Sequence, residues 1–288
     1  MLGINTNVAS LTAQMNLSKT QGSLQTSIAR LSSGLRVNSA KDDAAGLAIA
    51  ERMNAQIKGF DVASRNANDG ISLLQVADGA LGKVSDNLQR MRELAVQSKN
   101  GTLNTTDRAN LDREYQSLAE EVGRIATGTQ FNGNDVFSGA NKSLSLQIGT
   151  GNATTDTLAV NLTDDGTSTG NDLQTSLGGN TTAAIQAAFG DVTSTGNSGN
   201  AITKIDAAID TITNVRATVG AGQSRLEQVV SFLDTSSTNL SAARGRIMDA
   251  DFAKETANLT RSQILQQAGT AMLSQANQLP NSVLSLLK

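Results

Sequence analysis

Both ends of this chain carry the same apolar pattern, and its middle does not. Near the N-terminus apolar residues step by fours and threes through Ile4, Val8, Leu11 and Met15, and again through Leu24, Ile28, Leu31 and Leu35. Near the C-terminus the stepping runs through Leu265, Ala268, Met272, Gln275 and Leu279, with Leu226, Val230 and Leu233 upstream. Such spacing lays one narrow apolar stripe along a helix, which asks for a partner helix and not for a thick globular core. Two termini that each need a partner are expected to pair with each other and to pack on further copies of the chain.

Composition agrees with helix-on-helix packing. Of the 288 residues 38% are hydrophobic but only 2% aromatic, with Tyr115 the single tyrosine and no tryptophan. Buried surface must come from Leu, Ile, Val and Ala, which suits close helix contacts better than a ligand pocket. A net charge of -3 offers no basic field to nucleic acid or to an anionic membrane. The chain has neither Cys nor His. Disulfides, thiol nucleophiles, Ser–His–Asp and Cys–His sites and the H-E-x-x-H zinc site are thereby excluded. No catalytic residue, metal ligand set or cofactor is expected, and the chain is read as a non-enzyme. The start MLGINTNVAS lacks the basic and apolar regions of a secretory signal, so the protein is expected to stay in the cytosol or to leave without a cleaved signal. No stretch approaches the roughly 20 apolar residues of a membrane span.

Helical pattern covers 4–126. Ser39 or Asp42 is expected to cap a second helix, which carries Leu74, Leu81, Val84, Leu88 and Met91 and ends at the turn around Gly101. Thr106 or Asp107 is expected to cap a third, with Leu111, Tyr115, Leu118, Val122 and Ile125 along one side. The short loop between them implies an antiparallel pair. FNGNDVFSG reads as a turn-rich connection. Leu144, Leu146 and Ile148, then Leu158, Val160 and Leu162, alternate on either side of GTGNATTD, which predicts a β-hairpin over 143–162. Residues 163–200 are rich in Gly, Ser, Thr and Asn and read as a short variable surface insertion with one helical candidate at 182–189. Helical pattern returns at Ala201, and Pro280 is expected to stop it.

Few segments suggest chemistry. The Gly-rich stretches match neither phosphate-loop nor dinucleotide spacing, and DDGTSTGND at 164–172 lacks the spacing and the terminal Glu of a calcium loop. In QRMRELAVQS, Leu88, Met91 and Ala95 should point inward, while an exposed arginine–leucine pair involving Leu94 would suit a protein contact.

These segments resemble bacterial flagellin. The similarity lies in MLGINTNVASLTAQMNL, LSSGLRVNSAKDDAAGLAIAERM, RNANDGISLLQVADGAL, LQRMRELAVQS and TQFNGNDVFSG, and at the other end in ARGRIMDADFAKETANLTRSQILQQAGTAMLSQANQLPNSVLSLL. It covers about 1–162 and 201–288, and the short middle marks a form without large outer domains. The resemblance implies a mainly α fold: an elongated rod of long helices, its terminal helices paired as a coiled coil, with a small β-hairpin region. It implies an inner terminal domain of 1–44 with 245–288, and a core of 45–162 with 201–244. It implies a structural subunit of the extracellular flagellar filament, exported by the flagellar type III apparatus and polymerised with itself for swimming. A hook–filament junction protein is the alternative of similar design. Further implied partners are an export chaperone at the C-terminal helix, filament cap and junction proteins, and the Toll-like flagellin receptor of animals. The residues matching the receptor-binding motif are Gln89, Arg90 and Leu94, with Glu114 in support. The apolar stripes become the self-assembly seam: Ile4, Val8, Leu11, Met15, Leu24, Ile28, Leu31 and Leu35 with Leu265, Ala268, Met272 and Leu279.

Overall fold

The computed structural model describes residues 7–137, 143–162, 177–179 and 181–285. Its helices are α1 (Val8–Ser33), α2 (Ala44–Ser98), α3 (Thr105–Gly128), α4 (Thr182–Phe189), α5 (Thr195–Met248) and α6 (Phe252–Ser285). Between α3 and α4 lie β1 (Gln130–Phe131), β2 (Asn134–Asp135), β3 (Ser143–Gln147) and β4 (Thr157–Asn161), which form two antiparallel pairs. The fold is mainly α with a small β part, as the sequence periodicities predict. Two compact units emerge, one of Met1–Ile57 with Thr238–Lys288 and one of Lys58–Ser237.

The helix starts differ from those expected. At α2 it is Asp43, not Ser39 or Asp42, that caps: its Oδ1 accepts from the Gly46 N–H at 2.8 Å. Asp42 is occupied in the preceding turn, where its carboxylate accepts from the Ser39 hydroxyl and from the N–H groups of Asn38 and Ser39. Those bonds, the Ser39 hydroxyl foremost, hold the Asp42 carboxyl below the usual carboxylate range. At α3 the cap is Asn104 in place of Thr106 or Asp107. Asn104 Oδ1 accepts from the Asp107 N–H at 2.8 Å and the Asp107 carboxylate accepts from the Asn104 N–H. Asp107 therefore belongs to a reciprocal capping box from its third position and not as the cap itself.

Pro280 does not stop α6, which continues to Ser285. A proline lacks the N–H that would reach the carbonyl four residues back, here Ala276. That carbonyl instead accepts from Asn7 Nδ2 at 2.7 Å. The proline's missing bond is made good from the other end of the chain.

In the Lys58–Ser237 unit α2 and α5 run antiparallel, tied by Arg92 to Asp206 at 2.6 Å and Arg216 to Asp78 at 2.9 Å. These pairs are about half exposed, so water screens them and they contribute little. Apolar burial dominates, at roughly 1.5–3 kcal/mol for each Leu, Ile or Val taken fully out of water. Ile205, Ala208, Ile212, Val215, Val219 and Leu226 keep a strict three–four alternation along α5 and are buried with Leu74, Leu81, Val84, Leu88 and Met91 of α2. Tyr115, Ala119, Val122 and Ala126 of α3 complete that core. The β3–β4 hairpin pairs Leu146 with Leu158, and Leu158 and Val160 are buried in the core with the helices. It approaches so closely that a Cβ added to Gly222 would lie 2.9 Å from Val160 Cγ1, and one on Gly70 would collide with Leu146. FNGNDVFSG, read as a turn-rich connection, holds Phe131 of β1 and all of β2. Asn132 and Gly133 take φ of 52° and 80°, the left-handed pair that a two-residue hairpin turn requires.

The segment 163–200 is not simply a surface insertion. Residues 163–176 and 180 lie outside the described residues, but Leu177, Ile185, Phe189, Val192 and Ser198 are buried. Helix α5 begins at Thr195, ahead of the expected Ala201. Polar bonds fasten this region to α3: Tyr115 Oη donates to the Phe189 carbonyl at 3.1 Å, Gln116 Nε2 to the Gly190 carbonyl at 2.8 Å, and Val192 N–H to Asp112 Oδ1 at 2.9 Å. Burial, with Asp112 and Asp191 nearby, pushes the Tyr115 phenol above its ordinary pKa. Phe189→Ala should lower the stability of this unit by about 3–5 kcal/mol, against about 1 kcal/mol for loss of the cap in Asn104→Ala. Urea unfolding followed by far-UV circular dichroism measures both.

Candidate functional site

Helices α1 and α6, the chain's two ends, pack antiparallel. Ser10 Oγ bonds Asn277 Oδ1 at 2.7 Å near one end of the pair. In the middle Leu17 lies on Gly269, its Cδ1 3.3 Å from where a Cβ would stand. At the far end Ser27 Oγ donates to Glu255 Oε1 at 2.6 Å in a buried contact. Glu255 Oε2 lies 4.0 Å from Arg30 Nη1, the long limit of an ion pair.

The positions at least partly covered on α1 are Ser10, Ala13, Leu17, Thr20, Leu24, Ser27 and Leu31, a three–four heptad, together with Arg30. Those on α6 include Glu255, Ser262, Gln266, Gly269, Leu273 and Ala276. This seam is built mostly of small and polar side chains, which let two helices approach closely. The apolar stripe expected to fill it lies elsewhere. Val8 is 66% exposed, Met15 66% and Met272 64%, and Leu11, Ile28 and Leu265 are about half exposed or more. Ala268 is exposed as well, whereas Leu24, Leu31 and Leu35 are half-buried. Ile4 lies outside the described residues, and so does the side chain of Leu279. Within one chain, then, the predicted stripe is not what joins α1 to α6, apart from Leu24 and Leu31. The contacts are offset by one position on α6 and by two on the first half of α1. Val8, Leu265, Ala268 and Met272 instead line a shallow groove of about 680 Å³ along the pair.

A second candidate surface lies on α2 and α3. Arg90 grips Glu114 through Nε and Nη2 at 2.9 and 2.8 Å and reaches Glu93 Oε2 through Nη1 at 2.9 Å. Glu93, then Glu114, raises the Arg90 pKa above its ordinary value. Gln89, Arg90 and Glu114 are exposed together. Leu94 is not: at 1% exposure it belongs to the core with Leu88, Met91 and Ala95, because four inward positions are filled along this side of the helix. The amphipathic-helix reading of this stretch holds, and Leu94 does not form an exposed pair with an arginine. Val96, 51% exposed, is the apolar residue offered nearby, beside Gln89, Arg92 and Glu93 in a shallow groove.

Among the described residues no group of three or more acidic side chains could hold a metal ion, and no helix is long and apolar enough to cross a membrane. The 164–172 loop lies outside them. A chain that pairs its own ends through small side chains and keeps its apolar stripes outward is a subunit made for assembly.

Comparison with known proteins gives that class its family. Residues 4–142 match the bacterial flagellin N-terminal helical region and residues 202–287 the bacterial flagellin C-terminal helical region. The flagellin of Halalkalibacterium halodurans is 44% identical over 287 residues, 99% of each chain. Flagellin A of Vibrio cholerae is 37% identical over an alignment of 377 positions that spans 100% of both chains, so that relative carries residues this chain lacks. A crystal structure of Bacillus cereus flagellin is similar at 32% identity and a TM-score of 0.45, covering 62% of this chain and 94% of that one. The chain belongs to the bacterial flagellins. It is a structural subunit of the extracellular flagellar filament, which it forms by polymerising with itself, and it is not an enzyme; the junction-protein alternative is not favoured.

If the close α1–α6 approach is what sets this surface, Gly269→Val should push Leu17 away and part the helices. Filament yield by electron microscopy should fall sharply, with the urea midpoint of the Lys58–Ser237 unit unchanged.

Proposed function

We propose that the outward apolar stripes of α1 and α6 are the seam between subunits, and that the ends become ordered only as that seam forms. The observation that supports this reading is the exposure of Val8, Met15, Leu265 and Met272 beside a seam whose covered positions are mostly small or polar. Fixing a residue's backbone costs about 1–2 kcal/mol, and a seam of small side chains returns little against it. Neighbouring subunits would supply the missing burial. Residues 1–44 with 245–288 then make an inner domain, and 45–162 with 201–244 the core. Subunits repeat head-to-tail contacts that do not close, which yields a helical polymer and not a ring.

The same reading covers the route outward. A chain whose ends stay loose remains threadable through the flagellar type III apparatus. It leaves α6 open to an export chaperone before assembly and to the filament cap and junction proteins afterwards. Protease should trim both ends of the monomer first and leave 45–244, while filaments resist. Equal resistance of ends and core in the monomer would overturn this reading. Val8→Glu with Met272→Glu should abolish filaments while leaving the core's circular dichroism unchanged.

Recognition by the Toll-like receptor rests on family resemblance at Gln89, Arg90, Leu94 and Glu114. Gln89, Arg90 and Glu114 would touch the receptor, and buried Leu94 would hold their helix in place. Arg90→Ala should cost the monomer at least about tenfold in reporter-cell potency, equal to about 1.4 kcal/mol. The urea midpoint should barely move, since the pairs it loses are exposed.

A further inference from the structure

Along the α1–α6 pair, a second groove of about 510 Å³ is unlike the apolar one. Lys19, Arg30 and Arg261 line it, against one carboxylate, Glu255, with Asn258 and Ser262 on the same wall. Three cations thus line one groove in a protein whose net charge is negative. Their anion is largely used up. One Glu255 oxygen accepts from Ser27, and the other stands 4.0 Å from Arg30. Lys19 and Arg261 have no carboxylate within 4.0 Å among the described residues. Asp42 acts on Arg30 only at a distance.

Arg30 carries the second observation. Its Nε is buried and without a hydrogen-bond partner, the one such side-chain nitrogen or oxygen among the described residues. A buried donor on a cation forgoes both water and an acceptor, an arrangement that folded proteins rarely leave unmet. An oxyanion entering the groove would let Arg30 exchange its long contact for a charge-assisted bond, while Lys19 and Arg261 supply further donors.

We propose that this groove is an anion seat, taking a carboxylate or phosphate-like oxyanion between Lys19, Arg30 and Arg261. The inference rests on the subunit reading above, because it needs the two ends ordered as a pair. In a filament the oxyanion comes either from solution or from an acidic side chain of a second copy. Both sources present the same chemistry, and they differ in how they respond to added anion.

The test starts from filaments already formed, so that failure to polymerise and failure to bind anion read out separately. Thermal disassembly is followed by light scattering in sodium phosphate and in sodium chloride at matched ionic strength, for the parent chain and for the doubly neutralised K19Q/R261Q chain. A rise of a few degrees in phosphate for the parent, absent in the variant, assigns the seat to a dissolved oxyanion. No phosphate effect, with variant filaments melting several degrees lower in chloride, assigns it to a neighbouring subunit's carboxylate. Parent and variant filaments that melt alike in both salts would overturn the proposal. The charge-keeping K19R/R261K chain covers the case in which K19Q/R261Q does not assemble. Assembly of K19R/R261K alone supports a carboxylate from the second copy, whereas failure of both chains shows that side-chain shape, not charge, matters there and overturns the seat.

Discussion

Two helices from opposite ends of the sequence meet through side chains too small to satisfy either of them. Serine, alanine, threonine and glycine at the α1–α6 contact bring the backbones close. They also leave the larger apolar residues on the outside of the pair, where a single molecule has nothing to put over them. A single molecule leaves such stripes in water, whether or not its ends pair. The polymer is thus implicit in the choice of residues at one helix contact.

The Lys58–Ser237 unit shows the opposite choice. There the heptad along α5 is filled with Ile, Val and Leu, and α2 and α3 cover it with residues of similar size. The hairpin closes over glycines that let it sit against the helix surfaces. That unit buries most of its large apolar side chains within the chain itself. One chain therefore holds a part that covers itself and a part that does not, and the difference lies in side-chain volume at otherwise equivalent heptad positions.

Much of this was legible in the sequence, for identifiable reasons. The alternation of Leu158, Val160 and Leu162 found the hairpin because one covered face leaves a period of two. The four–three stepping found the long helices, and the inventory of side chains removed histidine and cysteine chemistry. Periodicity tells that a stripe exists but not which surface covers it, so Val8 and Met272 were expected at a contact that Ser10 and Gly269 occupy. Leu94 beside Arg90 was undecided by pattern, because the helix buries more of its circumference than a narrow stripe suggests. Helix α4 is too short to show a stripe, and only its fit against Tyr115 and Gly123 reveals it as core. Capping side chains such as Asp43 and Asn104 stood among equally suitable neighbours, and geometry alone separates them.

A contact made of small, similar residues has a further property. Sliding one helix past the other by a turn, about 5.4 Å, would bring serine or alanine opposite much the same partners, so the packing itself distinguishes poorly between alignments. Two polar contacts near opposite ends of the pair remove the ambiguity. Asn7 meets the carbonyl that Pro280 leaves without its helical partner, and Ser27 meets Glu255. The carbonyl freed by the single proline has no equivalent one turn away. Together the two contacts act as alignment marks, fixing the lengthwise position of a joint whose smooth faces would otherwise let it settle in several places.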